Sequence, residues 1–541
     1  MLMTAADRYP SFRAPQANRE VLCVPRWSTL RKTVPQQRAT VDDATILLAG
    51  IPLNEVASDA RRQLLADAHV YTNVNRELDE DQLPEVPIVV TGHQPELVHP
   101  GVWLKNFAAS QLADAVGGVA VSLVIDSDLC RAASIRVLSG SIDQPEVTDV
   151  SFDLPLADMP YEQRAIADPP TWRSFGDRVQ AATAPLVGDP LIGGWWPDVI
   201  SAAETTPEIG YAIAQARHRL ETDWGNRTLE LPQSHVCQTR PFRLFALHLL
   251  AHAADFRESY NDALRDYRQA HRLRNAAQPL PNLAAVDGWL ETPFWIWTDE
   301  DPTRRPLYSR RAASSLLLSD RGQWQAALPP YDAGGSSAAI DCLAAWEHSG
   351  IKIRTRALAT TLYTRLLLAD TFIHGIGGAK YDQVTNELCR RFLGVELPQY
   401  ITLSGTLQLP IEHQSIPRDR MSKLKQLTRQ LRFHPEKHLA SGTLSSADQT
   451  KLEHWKAIKN QWVQTPKTID NAAERHAQIT AANEALYPHL HAQHDKYERE
   501  LAVIVSQTRK NQLLESREFP FCLYPRDYLQ DFLLDFSSRM P

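Results

Sequence analysis

Pro87-Ile88-Val89-Val90-Thr91-Gly92-His93-Gln94-Pro95 is a short apolar run that ends in a polar turn, and its reading decides the fold class. The run has the unbroken apolar character of a strand buried on both faces, and the turn begins at Thr91. Residues 102–116 then follow a helical pattern, Gly117-Gly118 stops it, and residues 119–125 form a second apolar run ending in Asp126-Ser127-Asp128. Strand, helix and strand in this order make a β-α-β unit, which predicts an α/β fold with a Rossmann-like parallel-sheet body. Ligands of such sheets bind beyond the carboxyl ends of the strands, so residues 91–94 and 126–128 both fall on the binding side. No Gly-x-Gly-x-x-Gly follows the first strand and no Walker-type loop occurs, so neither usual phosphate loop is expected and no cofactor is named.

Farther along, residues 356–382 concentrate chemistry. Leu358, Leu362, Leu366 and Ala369 recur at helical spacing while Thr361, Arg365 and Asp370 interrupt them, which predicts a buried helix carrying paired charges. His374-Gly375-Ile376-Gly377-Gly378 reads as a turn, and a second amphipathic helix starts near Ala379 with Val384, Leu388, Phe392 and Leu393 on one face. A helix–glycine turn–helix arrangement leaves N–H groups free at Gly377, Gly378 and Ala379, where an anionic group can sit. The same glycines also suit a plain helix cap. In the ligand-binding reading, Arg356 and Arg365 add charge to the anion site, and Thr91, Gly92, Gln94 and Tyr381 line it. His374 or His93 is the general base, because histidine titrates near neutral pH. Asp128 orients the amine.

The chain has 541 residues, enough for two or three domains. The expected division is a covering segment 1–85, the α/β body 86–415, a helical coiled-coil arm 416–515, and an apolar tail 516–541 docked on the body. Within the body, residues 155–198 read as loop-rich and residues 234–238 as a strand, while Pro293-Phe294-Trp295-Ile296-Trp297 and Tyr400-Ile401-Thr402-Leu403 read as further strands. His248 and His252 have the spacing of metal ligands on one helix face, but an apolar helix makes core packing the better reading. In the arm, Trp455, Ile458, Trp462, Ile479, Leu486, Leu490, Leu501, Ile504 and Val505 are spaced among charges, as in two helices joined near Pro466 and able to pair subunits into a homodimer.

The net charge of −7 supplies no basic field for nucleic acid. Residues 1–16 lack an apolar signal core and no later run is suited to spanning a bilayer, so a cytoplasmic protein without a membrane partner is expected. Six singly spaced cysteines argue against a zinc ribbon and a disulfide framework.

Together, Val89-Val90-Thr91-Gly92-His93-Gln94-Pro95, the Gly377-Gly378 turn with Tyr381, the strand entered through Pro398, the polar helical segment and the apolar tail resemble the cysteine-adding enzymes of bacillithiol biosynthesis (the BshC cysteine ligase family). The resemblance covers the chain loosely from about Val86 onward. It implies a Rossmann-like body, a coiled-coil arm that pairs subunits, and the joining of cysteine to a glucosamine-malate conjugate. The chain departs from the family pattern at several points. Ser127-Asp128-Leu129-Cys130 replaces Glu-Asp-His-Asp, so only Asp128 carries over; His93 replaces the first glutamine of the turn, Gln94 matches the second, and Lys105 stands about two residues early.

The leading expectation is therefore a ligase joining cysteine or another amine to an acidic sugar conjugate, with an amino acid and an acidic small molecule as substrates. Two alternatives stand beside it: a metal-dependent hydrolase or other enzyme using Asp126 and Asp128, and a non-catalytic coiled-coil scaffold.

Overall fold

The computed structural model describes residues 9–72, 86–275, 277–312, 315–329, 337–414, 416–439 and 446–540. The first eight residues, the expected boundary at 85/86 and the start of the arm helix at 445 lie outside the described residues.

Six strands form the central sheet: β1 (Val21–Val24), β2 (Ile88–His93), β3 (Val119–Val124), β4 (Leu229–Pro232), β5 (Thr371–His374) and β6 (Ile401–Gly405). Their spatial order is β1-β6-β5-β2-β3-β4, with β1 antiparallel to β6 and every other pair parallel. The five helices that frame the site are α1 (Leu53–Thr72), α2 (Pro100–Val116), α3 (Ile209–Asp223), α4 (Ala357–Tyr363) and α5 (Ile376–Phe392). The β-α-β unit is β2-α2-β3. Pro100 opens α2, the His99 ring accepts a hydrogen bond from the Gly101 N–H, and Gly117 closes the helix at φ 68°. A β-carbon on Gly101 would lie 2.0 Å from the Gly405 oxygen, so this glycine lets α2 lie directly on β6.

From β2 the chain advances to β3 and β4 on one side, and it later returns to β5 and β6 on the other. The strand order thus reverses between β2 and β5, and a crevice opens at their carboxyl ends.

Residues 356–382 differ from expectation. They form helix, strand, helix: α4 runs into a π-helical turn, Thr364–Leu368, and Thr371–His374 is β5 in the interior of the sheet. Thr371, Phe372 and Ile373 are β-formers, and the flanking strands satisfy their backbone on both sides. Asp370 pins the register, because its Oδ2 accepts the Ile88 N–H at 2.6 Å and an Arg61 N–H at 2.9 Å. Consequently α5 begins at Ile376, earlier than expected, and the Ala379 N–H is not free because it donates to the Gly375 oxygen.

The expected strand at 234–238 is the short helix Gln233–Cys237, and the strand is β4 just before it. Glu230 disguises β4 as polar; it is fully buried and ion-paired with Arg217. The stretch 155–198 holds helices Pro169–Thr183 and Ile192–Ala203. Prolines that read as loop markers sit instead in the first turn of the former, which Asp168 caps. The aromatic run lies in Trp289–Thr298, the longest strand of a second, antiparallel sheet that also contains Arg305–Ala312, Ser315–Ser319, Gln325–Leu328 and Ile351–Thr355.

The chain divides into two compact units, residues 1–139 with 147–410 and 517–541, and residues 140–146 with 411–516. The first holds both sheets. Its last segment buries Phe521, Cys522, Leu523 and Tyr524, and the Tyr524 hydroxyl donates to the Leu407 oxygen at 2.8 Å. The second unit is helical, with α6 (Arg418–Phe433), α7 (Ser446–Gln464), α8 (Ala472–Leu486) and α9 (His491–Leu514). Here α7 packs on α8 and α6 on α9, and residues 446–514, expected as two helices joined near Pro466, hold three, α7, α8 and α9. Among the described residues no helix is long and apolar enough to cross a membrane.

Arg365 and Asp370 are both buried and paired. The Arg365 guanidinium donates to Asp382 Oδ2 at 2.9 Å and to the Pro398 oxygen. Replacing Arg365 with Leu leaves the buried Asp382 with only His374 as a charge partner, and should destabilise the protein by about 3–5 kcal/mol in a denaturant titration. An unchanged unfolding midpoint would show that the pair contributes nothing.

Candidate functional site

The crevice between β2 and β5 is a cavity of about 650 Å³. Its lining includes Gly92, His93 and Gln94 from the end of β2, His99, Gly101 and Lys105 from α2, and His374, Gly377, Gly378, Lys380 and Tyr381 from β5 and α5. Phe12, Ser404 and Arg517 complete the wall from other parts of the chain. Residues far apart in sequence meet here because parallel strands all present their carboxyl ends to the same edge.

At one side stands the first turn of α5. No side chain caps it, and Gly377 and Gly378 carry its early N–H groups. A β-carbon on Gly377 would meet only the Tyr381 hydroxyl, at 3.6 Å, whereas one on Gly378 would lie 2.6 Å from His374 Nδ1. Gly378 therefore makes room for the imidazole. The opposite ring nitrogen, His374 Nε2, lies 2.8 Å from Asp382 Oδ2. An ionised carboxylate only accepts, so Nε2 carries the proton and Nδ1 has the lone pair. Burial alone would raise the Asp382 carboxyl, yet Arg365 and His374 hold it well below the usual carboxylate range. Burial lowers His374, and Asp382 offsets part of that.

Across the cavity, burial and then the charge of Lys105 push His93 down to about 3. Burial, Arg517 and Lys105 do the same to His99. Lys105 is only 4% exposed, and its Nζ donates to the Gly92 oxygen at 2.8 Å. Burial and then Arg217 push it down to about 7. Arg517 is fixed by hydrogen bonds to Thr406 Oγ1 at 3.1 Å and Ser404 Oγ at 3.2 Å.

Of the residues expected at the site, the structure brings Gly92, His93, Gln94, His374, Gly377, Gly378 and Tyr381 to this one cavity. Thr91 is buried beside it and donates to the Ile373 oxygen, so its hydroxyl joins β2 to β5. Three other residues are engaged elsewhere. Arg365 is held in the Asp382 cluster described above. Arg356 pairs with Glu291 at 2.7 Å and stacks on Trp295 at 3.9 Å. Asp128 accepts from Arg304 at 2.9 Å and from Gln94 at 2.8 Å, so it positions a lining side chain from behind. Asp126 is likewise taken, by the Tyr211 hydroxyl and by Ser234. Among the described residues no group of three or more His, Cys, Asp or Glu is arranged to hold a metal ion. The His248 and His252 rings lie 4.5 Å apart, His248 in the helix Arg240–Ala251 and His252 just past its end.

Lys105, His99 and Arg517 were not in the expected set. Lys105 left a readable signal, a single cation in a helix whose neighbours Trp103, Leu104, Phe107, Ala108 and Ala109 are all apolar and buried. A lysine almost never sits fully buried without a reason. Arg517 left none, since it reaches the cavity from the far end of the chain.

These depressed histidines make stability depend on pH. Between about 3 and the ordinary value of 6.5, the unfolded chain holds protons that folded His93 and His99 do not, so stability falls as pH falls through that window. Denaturant titrations from pH 7 to pH 4 should show this loss, and His93→Gln should reduce its slope. An identical slope in the variant would refute the assignment to His93.

Compared with protein-family models and with curated protein sequences, the chain matches none.

Proposed function

We propose that the chain is an enzyme that joins cysteine or another amine to an acidic small molecule of the sugar-conjugate type, with the cavity between β2 and β5 as its active site. The observation that carries this reading is that one crevice gathers an uncapped helix start, a buried amine and a carboxylate-oriented histidine. Amine condensation needs an anion holder, a polar wall and groups that move protons. The Gly377 and Gly378 N–H groups hold the carboxylate or phosphate of the acidic partner, assisted by Lys380 and Arg517 in place of Arg356 and Arg365. His374 is an acid–base group, its ring fixed by Asp382 as in catalytic Asp–His pairs. Gln94, itself held by Asp128, is a polar contact for the amine substrate. The resemblance to the bacillithiol cysteine ligases names cysteine as the first amine to try. Six free cysteines fit a reducing, cytoplasmic setting.

The helical unit also exposes Phe433, Val463, Val503 and Val505, apolar surface suited to pairing two copies of the chain. Light scattering at micromolar concentration should report a dimer that Val503→Glu weakens; a monomer would reject pairing.

Two variants test the site with cysteine and an acidic sugar conjugate. Gly378→Val drives a branched side chain into the His374 ring and the anion site, so calorimetry should show ligand binding abolished. His374→Gln keeps a polar side chain but loses the titrating nitrogen, so it should spare binding and lower turnover by about 100-fold or more. Undiminished binding in the first, or undiminished turnover in the second, would overturn the corresponding assignment.

A further inference from the structure

Lys105 is the one amine in the cavity wall that combines deep burial with a nearly unsatisfied head group. Its Nζ makes a single hydrogen bond, to the Gly92 oxygen. An ammonium has three N–H donors to satisfy, whereas a neutral amine that donates once to Gly92 keeps its lone pair for the cavity. Among the described residues no carboxylate lies within ion-pair distance of Nζ. The charged and titratable groups around it are His93 at the end of β2, His99 at the start of α2, Arg217 on α3, His374 at the end of β5, and Arg517 in the final segment. All five are cations or potential cations; the cavity lining also holds Lys380, Tyr381 and Glu518, whose carboxylate is paired with Arg517 at 3.2 Å. Arg217 is already paired with Glu221 and Glu230, so those carboxylates serve it first. Burying an ammonium in such company is costly, and losing the proton relieves the cost.

We propose that Lys105 is the proton acceptor of this cavity, a neutral amine that takes the proton from a bound substrate ammonium. The step balances as R–NH3⁺ plus Lys–NH2 giving R–NH2 plus Lys–NH3⁺, and the freed nitrogen lone pair is then the nucleophile. This rests on the amine-joining reading above and adds a catalytic residue to it. Position and basicity both favour Lys105 over the histidines. Lys105, pushed down to about 7, is matched to neutral pH, while His93 and His99, at about 3, are too weak to deprotonate an ammonium efficiently. His374 Nε2 is committed to Asp382, leaving that ring for the second proton a condensation must move.

The amine can be titrated without any substrate. Competitive labelling with acetic anhydride across pH 5–11, read at each lysine by mass spectrometry, should show Lys105 half-maximally reactive near pH 7, well below the midpoint shared by the exposed lysines. A Lys105 that titrates with the exposed lysines, or that the reagent never reaches, overturns the proposal. Lys105→Arg keeps a cation but cannot accept a proton, and Lys105→Met keeps the apolar stem. With folding verified by thermal melting, both should lose turnover by about 100-fold or more with KM changed only a few-fold, and ethylamine added at alkaline pH should restore part of the Lys105→Met rate. Full turnover by Lys105→Arg also overturns the proposal. If wild-type protein turns over neither cysteine nor another amine with acidic sugar conjugates, the amine-joining reading falls, and the labelling profile alone decides whether Lys105 is a neutral proton acceptor.

Discussion

The buried carboxylate of Asp382 is the constraint on which the site depends. It sits on α5, yet its partners come from the π turn after α4, through Arg365, and from the end of β5, through His374. One side chain thus ties two helices and the strand between them. Charges this deep are tolerated only when paired, and removing one member strands the others in a medium that cannot solvate them. The same contact sets the His374 proton on Nε2 and aims Nδ1 at the first turn of α5. Structure and chemistry are held by one interaction, so variants here need a stability measurement beside every kinetic one.

A second set of forces shapes the opposite wall. Asp370 fixes β5 to β2 through the Ile88 N–H and Arg61, and the Thr91 hydroxyl adds a cross-strand bond to Ile373. With the register set, the strand order reverses between β2 and β5, and neither connection covers the crevice. The groups that line it include the Gly377 and Gly378 N–H groups, the imidazoles of His93, His99 and His374, and the cationic side chains Lys380 and Arg517, with Lys105 beside them; Glu518 is held by Arg517, and Asp128, Glu230 and Asp382 are held by Arg304, Arg217 and Arg365. An anionic ligand entering such a cavity meets complementary charge at little reorganisation cost.

Much of this was legible in the sequence, for reasons specific to each element. The β2-α2-β3 unit announces itself because both strands are buried on two faces and so read as unbroken apolar runs, with Gly117 marking the helix end. The two glycine-bearing stretches point to the cavity because close approach and an uncapped helix start demand small residues, although Thr91, Gly92 and His93, expected as a turn, continue β2, and Gly377-Gly378 form the first turn of α5. That α5 is amphipathic, that Arg365 and Asp370 are paired and buried, and that the final segment is too apolar to remain in water all follow from local pattern and the cost of burying charge.

The tertiary structure decided what depends on partners. Thr371–His374 follows a helix in sequence and continues its apolar pattern, yet it becomes a strand because β2 and β6 offer it hydrogen bonds on both sides. Glu230 hid β4, since a carboxylate reads as surface until its arginine is located. Arg356 and Asp128 are charged residues beside the right turns, but Glu291 and Arg304 claim them, and no local rule foretells which of several cations a carboxylate will meet. Lys105, His99 and Arg517 became site residues only when folding set β2, α2 and the final segment around one crevice. Sequence alone determines propensity, periodicity and which groups are costly to bury; the choice of partner for each buried charge is a long-range property, and that choice defines the site.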